Sequence, residues 1–340
     1  MGLRFALRAL FPGVFLFFSL AAMAGEGQTP ASTSPAPSSN AAGAAALPAW
    51  AYPVQVPPPP PPAPDPTVRH VPGSSQTYTK DWVEDRFTVP DWFPEDHPPM
   101  PAPVRQGKQP DARACGYCHL ANGLGRPENE SLAGLPKAYI IEQVKDFQDG
   151  SRQSSEPRLD AVTRMILAAK AVTPGEVDEA ADYFSKLKLT KWIRVVETET
   201  VPRTHVAGGM FVADAEGTEP IGSRIVEVPE DIAQEELRNP RSGFIAYVPK
   251  GSLKTGKALV ETGGDGKTIA CTTCHGPNLE GVGDIPGIAG RSPSAMARQL
   301  IDFRGGARNG PVAALMKTPV AKLSDDDIVA ITAYLASLKP

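Results

Sequence analysis

The alternation of apolar and polar positions predicts a chain of helices interrupted by one stretch of short strands. Apolar residues recur at helical spacing over 137–149 and 293–304. Two closing helices are expected at about 174–188 and 325–338. Between 191 and 250 the β-branched runs predict strands at Trp192–Val196, Ile225–Val228 and Phe244–Val248.

The two closing helices carry start signals at matching places. Thr173 and Glu176 have the spacing of a capping box. Ser324 and Asp327 form a weaker version, because Asp is not the usual partner. A further short helix is predicted over 230–237.

The first residues have the layout of an export signal. Arg4 and Arg8 precede an apolar run from Ala9 to Ala22, and Ala22-Met23-Ala24 fits a cleavage site. Residues 1–24 are therefore predicted to be a signal peptide, which puts the body of the protein in the periplasm. The alternative is an uncleaved membrane anchor, for which the apolar run is rather short.

Composition changes sharply after the signal. The chain has 340 residues and 37 prolines, and residues 25–75 are expected to form a disordered linker rich in Pro and Ala. Residues 76–99 hold several aromatic side chains, which predicts a segment wrapped on a folded domain. The alternative for that segment is a docking strip for a partner. The net charge of −4 argues against a nucleic-acid binder.

The candidate chemistry lies in the cysteines. All four belong to two copies of Cys-x-x-Cys-His, which are Cys115-Gly-Tyr-Cys118-His119 and Cys271-Thr-Thr-Cys274-His275. This is the attachment signature of c-type haem. Thiols at positions i and i+3 share one side of a helical turn, so both can bond to one porphyrin while the histidine reaches the iron. A redox dithiol, a zinc site or two disulfides would leave both histidines unexplained.

The two motifs belong to an internal repeat. Shifting the sequence by 156 residues aligns the halves, and 12 of 38 positions from Cys115 to Arg152 are identical. Five extra residues follow in the first half, after which Met165 falls on Met316. Because cytochromes often use methionine as the second axial ligand, Met165 and Met316 are the predicted sixth ligands of the two irons. Each half is therefore expected to run in the order helix, haem motif, loop, helix, methionine loop and closing helix.

Other residues are weaker candidates. Arg152 and Arg308 occupy matched positions, which suggests contacts to haem propionates. The alternative is a surface ion pair. The remaining histidines are expected to be solvated or hydrogen-bonded rather than ligands: His70, His97 and His205.

At these residues the chain resembles class I cytochromes c, and in particular tandem di-haem cytochromes. The resemblance rests on the haem motifs, on Leu132-Ala-Gly-Leu-Pro and Ile288-Ala-Gly-Arg-Ser-Pro, and on the matched methionines. It implies a mainly α fold with two cytochrome domains, at 100–190 and 251–340. It also implies two covalent haems c with His/Met ligation. The 191–250 insertion departs from the short connection usual in that family.

Three functions are compatible with these features. The first is a periplasmic di-haem carrier that is not an enzyme and passes single electrons between redox partner proteins, which would be an oxidase, a dehydrogenase or another cytochrome. The second is a cytochrome subunit of a larger dehydrogenase. The third is a di-haem peroxidase, which a methionine at both matched positions disfavours.

Overall fold

The computed structural model describes residues 47–340 except 58–59 and 61–62. The predicted signal peptide at 1–24 lies outside the described residues, as does the first part of the expected linker. Among the described residues, no helix has the length and apolarity needed to cross a membrane.

Helices dominate both halves of the described chain. In chain order they are α1 (Lys80–Glu84), α2 (Ala102–Arg105), α3 (Cys115–His119), α4 (Lys137–Asp149), α5 (Asp160–Ala171), α6 (Pro174–Lys186), α7 (Ile232–Glu236), α8 (Ser252–Thr262), α9 (Thr272–His275), α10 (Pro293–Gly305), α11 (Ala314–Val320) and α12 (Asp325–Ser337). A 3-10 turn covers Pro94–Asp96. The predicted helices thus correspond to α4, α6, α7, α10 and α12.

In the part of the chain that the structure describes, the strands fall in four small sheets. They are β1 (Val68–Arg69), β2 (Tyr78–Thr79), β3 (Ile193–Thr198), β4 (Thr200–Ala207), β5 (Met210–Pro220), β6 (Val226–Pro229), β7 (Phe244–Pro249), β8 (Gly281–Val282) and β9 (Ile285–Pro286). The three strands predicted in the insertion form one sheet of order β3-β7-β6, in which β3 is parallel and β6 antiparallel to β7. β4 and β5 form a hairpin closed at Gly208-Gly209.

Each half has its own helical core, and the sheet of the insertion lies against both. Ile140 of α4 and Phe184 of α6 belong to the first core, together with Phe244 of β7. Leu259 of α8 and Ile331 of α12 belong to the second core. Val195 of β3 packs against both cores, and α12 contacts β3. The insertion therefore joins the two units by burial of apolar side chains.

Both capping boxes are present. Thr173 accepts from the backbone N–H of Glu176, whose carboxylate accepts from the N–H of Thr173. Ser324 and Asp327 make the same reciprocal pair, although Asp is shorter than the usual Glu. The two capping boxes therefore predicted correctly where α6 and α12 begin.

The second unit depends on a close approach between α8 and α12. A Cβ at Gly256 of α8 would overlap the carbonyl oxygen of Ala330 in α12. A glycine here lets the two helix backbones approach more closely than a larger residue would allow.

The structure corrects three expectations. Part of the expected disordered linker is packed: Ala51 and Tyr52 are buried, and the Tyr52 hydroxyl donates to Asp302 (2.7 Å). The two methionines lie in helices α5 and α11 rather than in loops. The helix expected before the first haem motif is only the single turn α2, because residues 106–114 form a turn that is closed by the pairing of Lys108 with Ala112.

Candidate functional site

The first Cys-x-x-Cys-His motif forms the one-turn helix α3. The ring of His119 is partly buried, and its Nδ1 lies 2.8 Å from the carbonyl oxygen of Glu130. Since a carbonyl can only accept, Nδ1 carries the hydrogen and Nε2 keeps its lone pair for a metal. Burial also lowers the pKa of His119 and favours the neutral, ligating form.

The second motif repeats this arrangement. Cys271 caps α9, and the Nδ1 of His275 donates to the carbonyl oxygen of Pro286 (2.7 Å). Burial lowers the pKa of His275 as well. Glu130 and Pro286 occupy matched positions, 156 residues apart. The backbone carbonyl that accepts from the histidine therefore lies at the same place in both repeats.

All four cysteines are free thiols. Burial raises the pKa of Cys115 to about 12 and that of Cys271 to about 11. A redox-active dithiol needs the opposite shift, because the thiolate is the reactive form. Two free thiols beside an imidazole fit a c-type haem, whose vinyl groups would take the thiols as thioethers.

The predicted sixth ligands are both half-buried. Met165 lies in the middle of α5, and Met316 lies in α11, where it packs against the core of the second unit. Their role as ligands stays a prediction.

The two units meet across an internal two-fold relationship. The N–H of Gln153 donates to the carbonyl of Ala307 (2.8 Å), and the N–H of Asn309 donates to that of Ser151 (2.7 Å). The two bonds are equivalent under the repeat, because Gln153 matches Asn309 and Ser151 matches Ala307. Arg152 and Arg308 lie opposite each other at the centre of this bridge.

A cluster of arginine and glutamine side chains fills the centre of that junction. Arg152 donates to Gln143 (2.8 Å) and Gln299 (3.0 Å), and Arg308 donates to the same two oxygens. Both guanidinium groups are buried, so the surface ion-pair interpretation is wrong. Glu130 gives Arg152 a carboxylate partner at 2.8 Å. Among the described residues, Arg308 forms no salt bridge with a carboxylate.

The motifs differ in how they are covered. Arg238, which follows α7, donates to the carbonyl of Tyr117 (2.8 Å), and its guanidinium lies 3.6 Å from the centre of the Tyr117 ring. In the second motif Cys274 is exposed. The aromatic segment 76–99 contributes buried Trp92 and Phe93 beside Leu237. The second cysteine of the first motif, Cys118, is thus half-buried, whereas its counterpart Cys274 is exposed.

Comparison with known proteins gives the family. The cytochrome c family model matches residues 253–339. Cytochrome c-554(548) of Halomonas halodenitrificans is 41% identical over 76 residues, which cover 22% of this chain and 90% of that protein. The chain belongs to the cytochrome c family.

Longer relatives of this cytochrome span both repeats. The thiosulfate dehydrogenase electron acceptor of Thiomonas intermedia is 27% identical over 233 residues, covering 67% of this chain and 80% of that protein. Cytochrome c4 of Pseudomonas aeruginosa is 26% identical over 234 residues, covering 68% and 86%. The predictions of a tandem class I cytochrome and of a carrier rather than an enzyme are confirmed.

The residues of this cytochrome fit haem c. At each motif two free thiols and a histidine with a free Nε2 converge on one helical turn. The buried guanidinium of Arg308 adds a positive charge without a carboxylate, which suits an anionic propionate. Sequence analysis selected both arginines but missed the glutamines. The glutamines could have been selected because Gln143 and Gln299 are identical residues at matched positions of the repeat.

Proposed function

We propose that this cytochrome is a periplasmic di-haem carrier that relays single electrons between protein partners. The observation that carries the proposal is the repetition of one site: two Cys-x-x-Cys-His turns whose histidines donate to repeat-matched carbonyls. Bound at each motif, haem c supplies a one-electron couple between Fe(III) and Fe(II). The export signal supports the periplasmic location.

The chain's own residues hold each site in a fixed geometry. The carbonyls of Glu130 and Pro286 orient the imidazoles and select the tautomer that presents Nε2. Burial keeps both imidazoles neutral. Met165 and Met316 are proposed to complete the axial pairs, because they are matched in the repeat and half-buried. A six-coordinate iron changes little on electron transfer, which suits a carrier.

The proposal is tested by removing one methionine at a time. Met165→Ala and Met316→Ala should each leave two covalent haems but convert one of them to a high-spin form with a lower midpoint potential. Met296→Ala is the matched control, since Met296 is another half-buried methionine in α10. If neither variant changed spin state or potential, His/Met ligation would be wrong.

A second candidate is a cytochrome subunit that stays bound to a dehydrogenase. The similarity to the thiosulfate dehydrogenase electron acceptor of Thiomonas intermedia favours this candidate. The greater exposure of Cys274 than of Cys118 also suits a protein that exchanges electrons mainly at its second motif. Size-exclusion analysis with a purified thiosulfate dehydrogenase distinguishes the two: a stable stoichiometric complex supports the subunit, and rapid reduction without a complex supports the carrier.

A further inference from the structure

We propose that Arg291 is a positioning residue for both haem sites, because its one guanidinium group joins the two backbone segments whose carbonyls orient His119 and His275. This inference rests on the proposed function, since it requires a haem iron beside each histidine. It concerns how the two imidazoles are kept in place, and not the identity of the ligands or the charge around them.

In the first unit, Arg291 bonds directly beside the acceptor of the first histidine. The residue after the acceptor Glu130 is Ser131, whose carbonyl oxygen accepts from Nη1 of Arg291 at 2.7 Å. Nη2 of the same group donates to the carbonyl oxygen of Ala133 at 3.1 Å. Because a planar guanidinium holds its donors in a rigid fork, these two bonds fix both the position and the orientation of the segment.

In the second unit, the same guanidinium bonds at the matched position. Gly287 directly follows Pro286, the acceptor of the second histidine. The carbonyl oxygen of Gly287 accepts from Nε of Arg291 at 2.6 Å. Ser131 and Gly287 lie 156 residues apart and are therefore repeat mates. One side chain thus joins equivalent points of the two sites.

The arginine itself does not recur at the matched position of the first unit. That position is occupied by Leu135, which is buried in the apolar core of its own unit and has no side-chain donor. Arg291 is only 6% exposed, so water competes little for its bonds. Loss of Arg291 would therefore release both segments together, because the matched leucine cannot replace its bonds.

The backbone at Arg291 is held in place by the insertion. Ser292, the next residue, caps α10 and donates through its hydroxyl to the buried carboxylate of Glu227 in β6 at 2.8 Å. The backbone N–H of Ser294 donates to the same carboxylate at 3.1 Å. The side chain of Arg291 therefore extends from a fixed point, as a link between two segments requires.

This link makes the two imidazoles depend on each other. The group that accepts from a ligating histidine fixes the rotation and the tautomer of its ring. A shift of either acceptor segment would weaken the Nδ1–H bond of its own histidine, and Arg291 would pass that shift to the other segment. We therefore expect one substitution at Arg291 to loosen both histidines.

The test measures how fast the ring Nδ1–H of each axial histidine exchanges with solvent in the oxidised, full-length holoprotein. Proton NMR resolves these two hydrogens, because a ferric iron moves their signals away from the rest of the spectrum. Arg291→Leu introduces the residue type of the matched position in the first unit. It should accelerate exchange at both His119 and His275 by about tenfold, the factor that corresponds to one lost hydrogen bond.

Arg298→Leu is the matched control. Arg298 also lies in α10 and is buried, and its guanidinium donates to the carbonyls of Ala51 (3.1 Å) and Pro127. Neither of these carbonyls adjoins a histidine acceptor. The control should therefore lower stability but leave both exchange rates as in the wild type. An equal acceleration in the two variants would mean a general loosening of the fold and would overturn the inference.

Arg291→Lys separates geometry from charge. It keeps the positive charge but replaces the fork with a single ammonium group, which cannot hold both segments, so exchange should accelerate at one histidine at least. Unchanged rates at both histidines in this variant would overturn the inference, as would acceleration at fewer than two histidines in Arg291→Leu. If Arg291→Leu failed to fold, Arg291→Lys would decide. Absence of two shifted Nδ1–H signals in the wild type would instead overturn the proposed function.

Discussion

Arg152 and Arg308 lie opposite each other across the junction of the two repeats, and each guanidinium donates to both Gln143 and Gln299. All four residues recur at the 156-residue interval. The two cytochrome units therefore meet through two copies of one surface, as the subunits of a two-fold dimer do. Here a single chain carries both copies.

Loss of Arg308 should destabilise the fold. Arg308→Ala removes a buried guanidinium and leaves the shared glutamine oxygens short of donors, which should cost about 3 kcal/mol. Urea unfolding of the holoprotein measures the loss. Arg158→Ala is the control, because the side chain of Arg158 is 68% exposed and its guanidinium bonds to Glu156; it should change stability by less than about 0.5 kcal/mol. Equal losses for both variants would contradict the buried cluster.

The packed part of the N-terminal segment should contribute to stability through Tyr52. Tyr52→Phe removes the hydroxyl that donates to Asp302, while the backbone N–H of Ser155 still donates to that carboxylate. The expected loss is about 2 kcal/mol in urea unfolding.

Tyr334 offers a matched comparison, because its hydroxyl donates to Glu261 at the surface. Tyr334→Phe should cost less than about 0.5 kcal/mol. If Tyr52→Phe were equally mild, the segment around residue 52 would not be docked in solution.

The capping box of α6 should make stability depend on acid pH. Bonds from Lys108 and from the Thr173 N–H lower the pKa of Glu176 from 4.5 to about 2. Its stabilising contribution is therefore fully present above pH 4.5 and is lost as pH falls toward 2. Glu176→Gln should lower the free energy of unfolding at pH 7, with a difference from the wild type that shrinks across this window. A difference that stayed constant down to pH 2 would contradict this assignment.

Local signals predicted much of the fold. The Thr173–Glu176 and Ser324–Asp327 boxes gave the starts of α6 and α12, because capping depends on residues three apart. The β-branched runs gave β3, β6 and β7. The hairpin of β4 and β5 was missed because much of it is polar and exposed, although Gly208-Gly209 marked a two-residue turn.

The sites were predictable only to the level of their motifs. The cysteines and histidines follow from spacing. The contact of Glu130 with Arg152, and the burial of Tyr52 against Asp302, join residues far apart in the chain. Such pairs depend on how the two units pack, which no local pattern encodes.

The central claim is that the chain holds two covalent haems with His/Met ligation. A haem count combined with spectroelectrochemical titration, on protein exported from a strain able to attach haem, tests it most directly. We expect two haems per chain, both low-spin and both at the high potentials typical of His/Met pairs. A single covalent haem, or one that is high-spin in the wild type, would contradict the account.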